Sequence, residues 1–352
     1  MHVERRALFF AAPLLCSDKT IGFFPGFCIG FCGKLCYNGS DLSIKVDVPM
    51  KKTQILHSLL LLLTAIIWGV AFVAQSAGMD HVGPYTFNCA RSLLGGLVLL
   101  PVLAVRERIH PGCTMRGGRR TLLVGGVMCG AALFMASSLQ QIGIQYTSVG
   151  KAGFITACYI VLVPLLGLLL GKRCGVSVLA AVGLALVGLY LLCVTEALSV
   201  GMGDLLMLGC ALMFSVHILV IDFFAPRADG VALSCIQFFV CALLSAVPAL
   251  ALERPSMAGL AAAWVPVLYA GVLSSGVGYT LQVIGQRGMN PTVASLILSL
   301  ESCVSVLAGW LLIGERLTGR ELTGCAVMFA AIVLAQLPRR EEKPQRTAEQ
   351  EA

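Results

Sequence analysis

The chain has 352 residues, of which 58% are hydrophobic and 12% are charged, and its net charge is +7. Soluble domains carry about 25% charged residues, so the composition, with a mean hydropathy of +0.89, excludes that class and indicates a protein that lies in a bilayer. In a soluble protein the positive charge would suggest nucleic acid. Here no nucleic-acid partner is expected, because the charge sits in the connections between apolar runs and indicates orientation.

Ten apolar runs follow one another between Met50 and Pro338. They cover approximately residues 55–77, 83–105, 121–143, 149–171, 175–195, 204–222, 231–252, 264–284, 291–313 and 321–338. Most reach the ~20 residues that a helix needs to cross ~30 Å of hydrocarbon, and they lack the alternating pattern of barrel strands. The sequence therefore predicts an all-α integral membrane protein with ten transmembrane helices, for which the lipid bilayer is a partner.

Basic residues are distributed unevenly between the two sides of these helices. If the first run starts in the cytoplasm, four Lys and Arg lie outside: Lys151, Arg254, Arg316 and Arg320. Fifteen lie inside: Lys51, Lys52, Arg106, Arg108, Arg116, Arg119, Arg120, Lys172, Arg173, Arg227, Arg287, Arg339, Arg340, Lys343 and Arg346. The positive-inside rule then predicts a multi-pass protein of the plasma (inner) membrane with both ends in the cytoplasm.

The two halves of the chain resemble each other at a fixed offset. A shift of 142 residues gives ten identities in the 32 positions from 139 to 170, including the pair Leu139-Gln140 and Leu281-Gln282. A shift of 146 residues aligns Trp68 with Phe214 and Arg91 with Gln237. Since each copy holds five helices, an odd number, the copies must cross the membrane in opposite senses, as in secondary transporters built from inverted repeats.

Several motifs resemble the EamA family of the drug/metabolite transporter superfamily. They are TAIIWGVAF in the first helix, QIGIQYTSVGKAGF entering the fourth, LES in the ninth and GERLTG after it. The resemblance covers residues 50 to about 338 and implies two inverted EamA repeats, alternating access, and transport of small metabolites, amino acids or drugs, often outward. Where relatives often have Leu-Glu-Pro, this chain has Leu300-Glu301-Ser302, which leaves open whether the ninth helix breaks there.

This organisation predicts four segments. Residues 50–195 form the first repeat, 196–338 the second, and 339–352 a polar cytoplasmic tail. Residues 1–49 match nothing in the family, and two interpretations remain open: a translation start placed too early, with Met50-Lys51-Lys52 as the ordinary start, or a real but dispensable extension. Their apolar stretches lack a signal-peptide cleavage site and are too short to span a membrane.

The polar residues inside the helices are the candidates for a substrate cavity. Glu301 stands out, because a carboxylate in hydrocarbon is costly unless it is paired, protonated or facing water. Under the 142-residue offset Glu301 aligns with Tyr159. The other polar residues also pair at matched depths under the two offsets, which favours one shared cavity between the repeats. The full set of candidates is Glu301, Arg91, Tyr159, Gln237, Gln140, Gln282, Tyr279, Ser137 and Trp68. If Glu301 changes partners during transport, proton coupling is a further expectation.

Simpler structural roles remain open for several of these residues. Glu301 and Arg91 would also fit a fixed bridge between two helices, and the tyrosines would also fit bonds to neighbouring helices. Trp68 lies in a stripe with Thr64 and Gln75, a pattern that is more typical of packing. His217, in the sixth helix, fits a buried histidine with satisfied hydrogen bonds.

The remaining features argue against cofactors and catalysis. Eleven of the 15 cysteines lie beyond Met50, mostly inside helices, where they act as small apolar residues. The CIGFCGKLC stretch at Cys28–Cys36 weakly suggests metal, and neither a phosphate loop nor HExxH is present, so neither a cofactor nor an enzyme is expected. A transporter of nucleotide sugars, sugar phosphates or lipid-linked sugars is the main alternative, although such anionic cargo favours several cations in the cavity and Arg91 is the one candidate.

Overall fold

The computed structural model describes residues 50–115, 117–147, 149–172, 175–193, 201–313 and 318–336. The expectations for residues 1–49, including the cysteine stretch, and for the tail 339–352 lie outside these ranges. The chain divides into two units, Met1–Thr53 and Gln54–Ala352, and the contacts below all lie within the second unit.

The described residues fold into helices, with no strand among them, and the helices form ten successive spans. The spans are Met50–Met79 (span 1), Pro84–Ile109 (2), Arg119–Gly143 (3), Val149–Ala157 with Tyr159–Leu169 (4), Val176–Cys193 (5), Met202–Phe224 (6), Gly230–Leu252 (7), Trp264–Leu268 with Tyr269–Tyr279 and Thr280–Gln286 (8), Pro291–Leu298 with Glu301–Ala308 and Gly309–Ile313 (9), and Gly319–Gln336 (10). Eight are long and apolar enough to cross a membrane, and spans 5 and 10 contain the shorter apolar helices Val178–Leu191 and Leu322–Leu334. The predicted fold class is confirmed.

Local sequence signals fix where the spans begin. Span 2 starts with Pro84, and span 9 starts with Pro291 after Asn290, whose side chain accepts a hydrogen bond of 2.9 Å from the Thr292 amide. Span 7 begins after Asp229, which accepts a bond of 3.0 Å from the Ala232 amide. Proline and these side-chain caps suit the first turn, where the amides have no partner within the helix.

The packing repeats itself under the two sequence offsets. A Cβ atom on Gly143 in span 3 would lie 2.8 Å from the Met207 sulfur in span 6. A Cβ atom on Gly285 in span 8 would lie 2.9 Å from a Leu61 methyl group in span 1. Gly285 is the counterpart of Gly143 at offset 142, and Met207 is the counterpart of Leu61 at offset 146. The same close helix contact is therefore built once between spans 3 and 6 and once between spans 8 and 1.

Eight of the spans divide into two groups, each with helices from both repeats. Span 3 packs against spans 6 and 7, and span 4 packs against span 6; we call spans 3, 4, 6 and 7 bundle A. Span 2 packs against span 8, and span 1 contacts spans 8 and 9; we call spans 1, 2, 8 and 9 bundle B. Under the offsets of 142 and 146 residues, each span of bundle A corresponds to a span of bundle B. Spans 2 and 7, and spans 4 and 9, pack together where the bundles meet, while spans 5 and 10 pack mainly on each other.

Candidate functional site

Spans 4 and 9 are both interrupted at the same position of the repeat. Span 4 breaks at Cys158, directly before Tyr159, and span 9 breaks at Ser299 and Leu300, directly before Glu301. Cys158 and Leu300 are counterparts at offset 142, and the amide of each bonds the carbonyl three residues earlier instead of four. Broken helices at the centre of a bundle direct backbone and side-chain polar groups towards an internal site.

Span 9 breaks although it lacks the proline found in many relatives. Serine hydroxyls bond the carbonyls on both sides of the break: Ser299 Oγ donates to the Leu296 carbonyl and Ser302 Oγ donates to the Ser299 carbonyl, both over 2.7 Å. These bonds satisfy carbonyl groups that a regular helix would pair with amides. The question that Ser302 leaves open in the sequence is thus answered, since the break forms without proline.

Glu301 and Tyr159 meet across the two bundles. The Tyr159 hydroxyl donates a hydrogen bond of 2.9 Å to Glu301 Oε1, and the two residues are 2% and 3% exposed. The carboxylate therefore has a polar partner inside the membrane, which lowers the cost of burying it. The structure brings these two residues together, as the offset predicts.

Arg91 is held by a neutral partner and not by Glu301. Its Nη1 donates a hydrogen bond of 2.9 Å to Gln75 Oε1, and its guanidinium carbon lies 6.0 Å from the centre of the Phe87 ring. Among the described residues the ion pairs are Arg106–Asp229 and Lys172–Asp222, and Arg91 belongs to neither. A fixed bridge between Glu301 and Arg91 is absent from this arrangement.

The two ionisable residues line one central cavity. Seven of the nine residues predicted from the sequence form its wall: Glu301, Arg91, Tyr159, Gln140, Gln282, Tyr279 and Trp68. The other lining residues are Ala71, Phe72, Gln75, Phe214, Ile218 and Ser274. Within the described part of the chain, this wall holds one acidic and one basic side chain in an otherwise neutral and aromatic surface.

Aromatic rings form one side of this cavity. The rings of Trp68 and Tyr279 lie 4.5 Å apart, and Trp68 Nε1 donates a hydrogen bond of 3.3 Å to the Ser274 carbonyl. Ser274 and Tyr279 belong to a π-helical stretch, Tyr269–Tyr279, whose counterpart in span 3 is regular α-helix. Such stretches often occur at functional sites. Trp68 thus packs between helices and also faces the cavity.

Gln237 and Ser137 lie outside the cavity wall. Gln237 Oε1 is 3.2 Å from His217 Nε2, both side chains are fully buried, and the ring of Tyr279 lies 5.8 Å from that of His217. His217 Nδ1 and Gln237 Nε2 have no hydrogen-bond partner among the described residues, so the expectation of a histidine with satisfied hydrogen bonds is met at one nitrogen only. The Ser137 hydroxyl is too short to reach inward and donates to the Phe134 carbonyl over 3.4 Å. Their counterparts, Arg91 and Tyr279, have long side chains that reach the cavity.

Several lining residues are missing from the sequence prediction because they are apolar. Phe72, Phe214 and Ile218 are indistinguishable by type from residues that face lipid or the core. Phe214 does carry a signal, since the 146-residue offset aligns it with Trp68, and both line the cavity. Gln75 fits a packing stripe in the sequence, yet in the structure it holds Arg91.

These features define a class: an integral membrane protein with two inverted five-helix repeats around a buried cavity, the plan of secondary transporters. Residues 56–194 and 201–337 both match the model of the EamA-like transporter family, and the chain belongs to that family.

Known relatives agree in class. An uncharacterized transporter from Archaeoglobus fulgidus is 28% identical over 278 residues, which cover 79% of this chain and 84% of the relative. The uncharacterized transporter YwfM from Bacillus subtilis is 26% identical over 309 residues, covering 84% of this chain and 97% of the relative. One solved crystal structure of a protein matches with a TM-score of 0.68 at 20% identity, over 82% of this chain and 98% of the other, and it supports the fold alone.

Proposed function

We propose that the protein is a secondary transporter of the plasma membrane that exports a small metabolite by alternating access, with both chain ends in the cytoplasm. One observation carries this proposal. An acid and a base, Glu301 and Arg91, line the same buried cavity, and each bonds a neutral side chain while the two do not form an ion pair. Ionisable residues inside a membrane mark substrate or ion pathways.

The cavity favours a small molecule with a cationic and an anionic group, such as an amino acid or a zwitterionic drug. Glu301 would accept hydrogen bonds from the cationic group and Arg91 would donate to the anionic group, since charge-assisted bonds are the strongest available. Trp68, Phe72 and Phe214 would contact the apolar part of the molecule.

Phosphorylated cargo fits this wall less well. A nucleotide sugar or sugar phosphate carries at least two negative charges, and phosphate sites usually supply several cationic donors. Arg91 is the one such donor among the described lining residues. An enzymatic function is supported even less than transport of phosphorylated cargo, because the sequence lacks a hydrolase motif such as HExxH.

Alternating access would follow from the division into two bundles. Helices within a bundle interlock through close contacts, as Gly143 does with Met207 and Gly285 with Leu61. The substrate site lies between the bundles, where Tyr159 of bundle A meets Glu301 of bundle B. Rocking of bundle A against bundle B would open the cavity to one side at a time and would pull these two residues apart. Glu301 would then exchange Tyr159 for substrate, water or a proton, which makes proton coupling part of the proposal.

The proposal is tested by comparing the metabolites of cells and medium with and without the gene. Three strains are needed, expressing the wild type, Glu301→Gln, and the control Glu107→Gln, whose carboxylate bonds the nearby loop at Gly112–Thr114. We expect at least one small zwitterionic metabolite to move from cells to medium in the wild type and the control, and not in Glu301→Gln. If no metabolite differs between wild type and the strain lacking the gene, the proposed function is wrong.

A further inference from the structure

Spans 2 and 7 are antiparallel helices from different bundles, and polar contacts join them at both ends. Where span 2 ends and span 7 begins, Arg106 forms two hydrogen bonds to Asp229, of 3.0 and 2.8 Å. This parallel arrangement of two N–H···O bonds is the strongest and most directional form of a charged pair. The Asp229 side chain is only 10% exposed and that of Arg106 32%, so the pair is partly shielded from solvent.

A different contact joins the opposite ends. Span 2 begins with Pro84, and its first amides have no partner within the helix. Glu253, directly after span 7, accepts bonds from the Tyr85 amide over 2.9 Å and the Thr86 amide over 2.8 Å. Its carboxylate thus caps the N-terminus of a helix in the other bundle, where a negative charge is favourable.

Between these ends the two helices cross closely. The Cys235 thiol of span 7 lies 3.7 Å from the Gly96 carbonyl of span 2, and the Ser92 hydroxyl lies 3.3 Å from the Cys241 sulfur. A Cβ atom on Gly96 would lie 3.1 Å from the Phe239 ring. The two helices meet at this central crossing. If one tilts against the other, the ends joined at one side of the crossing separate, while the ends joined at the other side stay together.

We propose that these two contacts are the alternating latches of the transporter: Arg106–Asp229 closes the cytoplasmic side, and Glu253 on the start of span 2 closes the outer side. This inference rests on the proposed function, which supplies the rocking of the bundles and the sidedness. Opening towards the cytoplasm breaks the Arg106–Asp229 pair while Glu253 stays bound to Tyr85 and Thr86. Opening outwards does the reverse. Both contacts are closed in the structure described.

A third polar contact provides a control, because it joins two helices of the same bundle. Lys172, at the end of span 4, pairs with Asp222 at the end of span 6, and both spans belong to bundle A. Rocking of the bundles does not stretch this pair. Asp222→Asn is therefore a matched control for Asp229→Asn, since both remove one carboxylate charge from an ion pair at a helix end.

Native thiols report on each end of the crossing, so no reporter has to be engineered. Cys235 is buried and lies near the Arg106–Asp229 end of span 7. Cys89 is half-buried and lies near the start of span 2, three residues after Thr86, at the Glu253 end. Reaction of the full-length protein in membranes with N-ethylmaleimide, followed by mass spectrometry of each cysteine, measures how often each end opens. We expect Asp229→Asn to raise the labelling rate of Cys235 roughly fivefold, because one partly exposed ion pair is lost, and to leave the labelling rate of Cys89 unchanged. Glu253→Gln should do the opposite, and Asp222→Asn should change neither.

A second variant separates the loss of the ion pair from the loss of the helix cap. Asparagine at position 229 still caps span 7, and Arg106→Gln breaks the same pair without touching that cap. If Asp229→Asn exposes Cys235 and Arg106→Gln does not, the effect does not come from the ion pair and the latch assignment is wrong. Equal exposure of both thiols, or of neither, in these variants also overturns it. Because labelling needs no substrate, a missing exported metabolite would refute the proposed function alone.

Discussion

Tyr159 and Glu301 are 142 residues apart in the sequence, which is the offset of the internal repeat, and their side chains form a hydrogen bond of 2.9 Å. Two counterparts can touch only if they lie close to the axis that relates the repeats. The bond therefore places the centre of the molecule at this pair. Tyr159 belongs to bundle A and Glu301 to bundle B, so rocking of the bundles would break this contact.

Removal of the Tyr159 hydroxyl tests what this bond contributes. In Tyr159→Phe the ring still packs between spans 4 and 6, but the carboxylate loses its donor. Because a hydrogen bond to a charged group contributes about 1.5–3 kcal/mol, we expect a melting temperature below that of the wild type and a fall of roughly tenfold in export per folded molecule. Export and thermal unfolding in detergent are the two measurements. Unchanged export would mean that Tyr159 has no part in the transport cycle.

The break in span 9 predicts where proline is tolerated. Ser302 lies in the first turn of Glu301–Ala308, where proline costs little, and the break before it is already present. Ser302→Pro should therefore be expressed and should retain export. Ser305→Pro, one turn further on, removes an amide from the helix interior and should lose about 3 kcal/mol of stability. Equal loss of folded protein in both variants would contradict the assigned break.

The repeated glycine contacts predict a selective loss of stability. In Gly285→Ala the new methyl group would lie 3.1 Å from the His57 carbonyl oxygen and 2.9 Å from Leu61. A backbone oxygen cannot rotate away, so we expect a destabilisation of about 1–3 kcal/mol, typical of overpacking. A Cβ atom on Gly183 would meet nothing within 4 Å, which makes Gly183→Ala the control. Melting temperatures of the purified variants compare the two, and equal values would argue against the close contact between spans 1 and 8.

The charge bias predicts the orientation in the membrane. A reporter fused after Pro338 should respond as cytoplasmic, and a reporter in the connection at Gly78–Val82 should respond as external, because fifteen of the nineteen basic residues counted fall on one side in this arrangement. Fusions with an enzyme that is active on one side only provide the measurement. An external reading after Pro338 would contradict the proposed sidedness, including that of the two latches.

Hydropathy and self-similarity predicted much of this fold, because bilayer thickness fixes helix length and the repeat fixes which helices correspond. The pairing of Glu301 with Tyr159 followed from the same offset. The hydrogen-bond partners of individual polar side chains cannot be predicted from the sequence offsets. Gln237 bonds His217 and Gln75 bonds Arg91, and such pairings depend on side-chain length and on helix rotation, which the sequence alone does not determine. Phe72 and Ile218 could not be predicted as lining residues because an apolar side chain in the cavity wall has no distinguishing chemistry.

Export by Glu301→Gln, alone and together with Arg91→Gln, tests the central claim most directly. Glutamine keeps the shape of the side chain and can still accept a bond from Tyr159, so the variant should fold normally. We expect it to lose ~10- to 150-fold in export, the range for one hydrogen bond to a charged group, and we expect the double variant to remain inactive because each charge binds its own part of the substrate. If the double variant regains wild-type export, the two residues serve only to balance each other's charge, and the assignment of Glu301 to substrate transport is wrong.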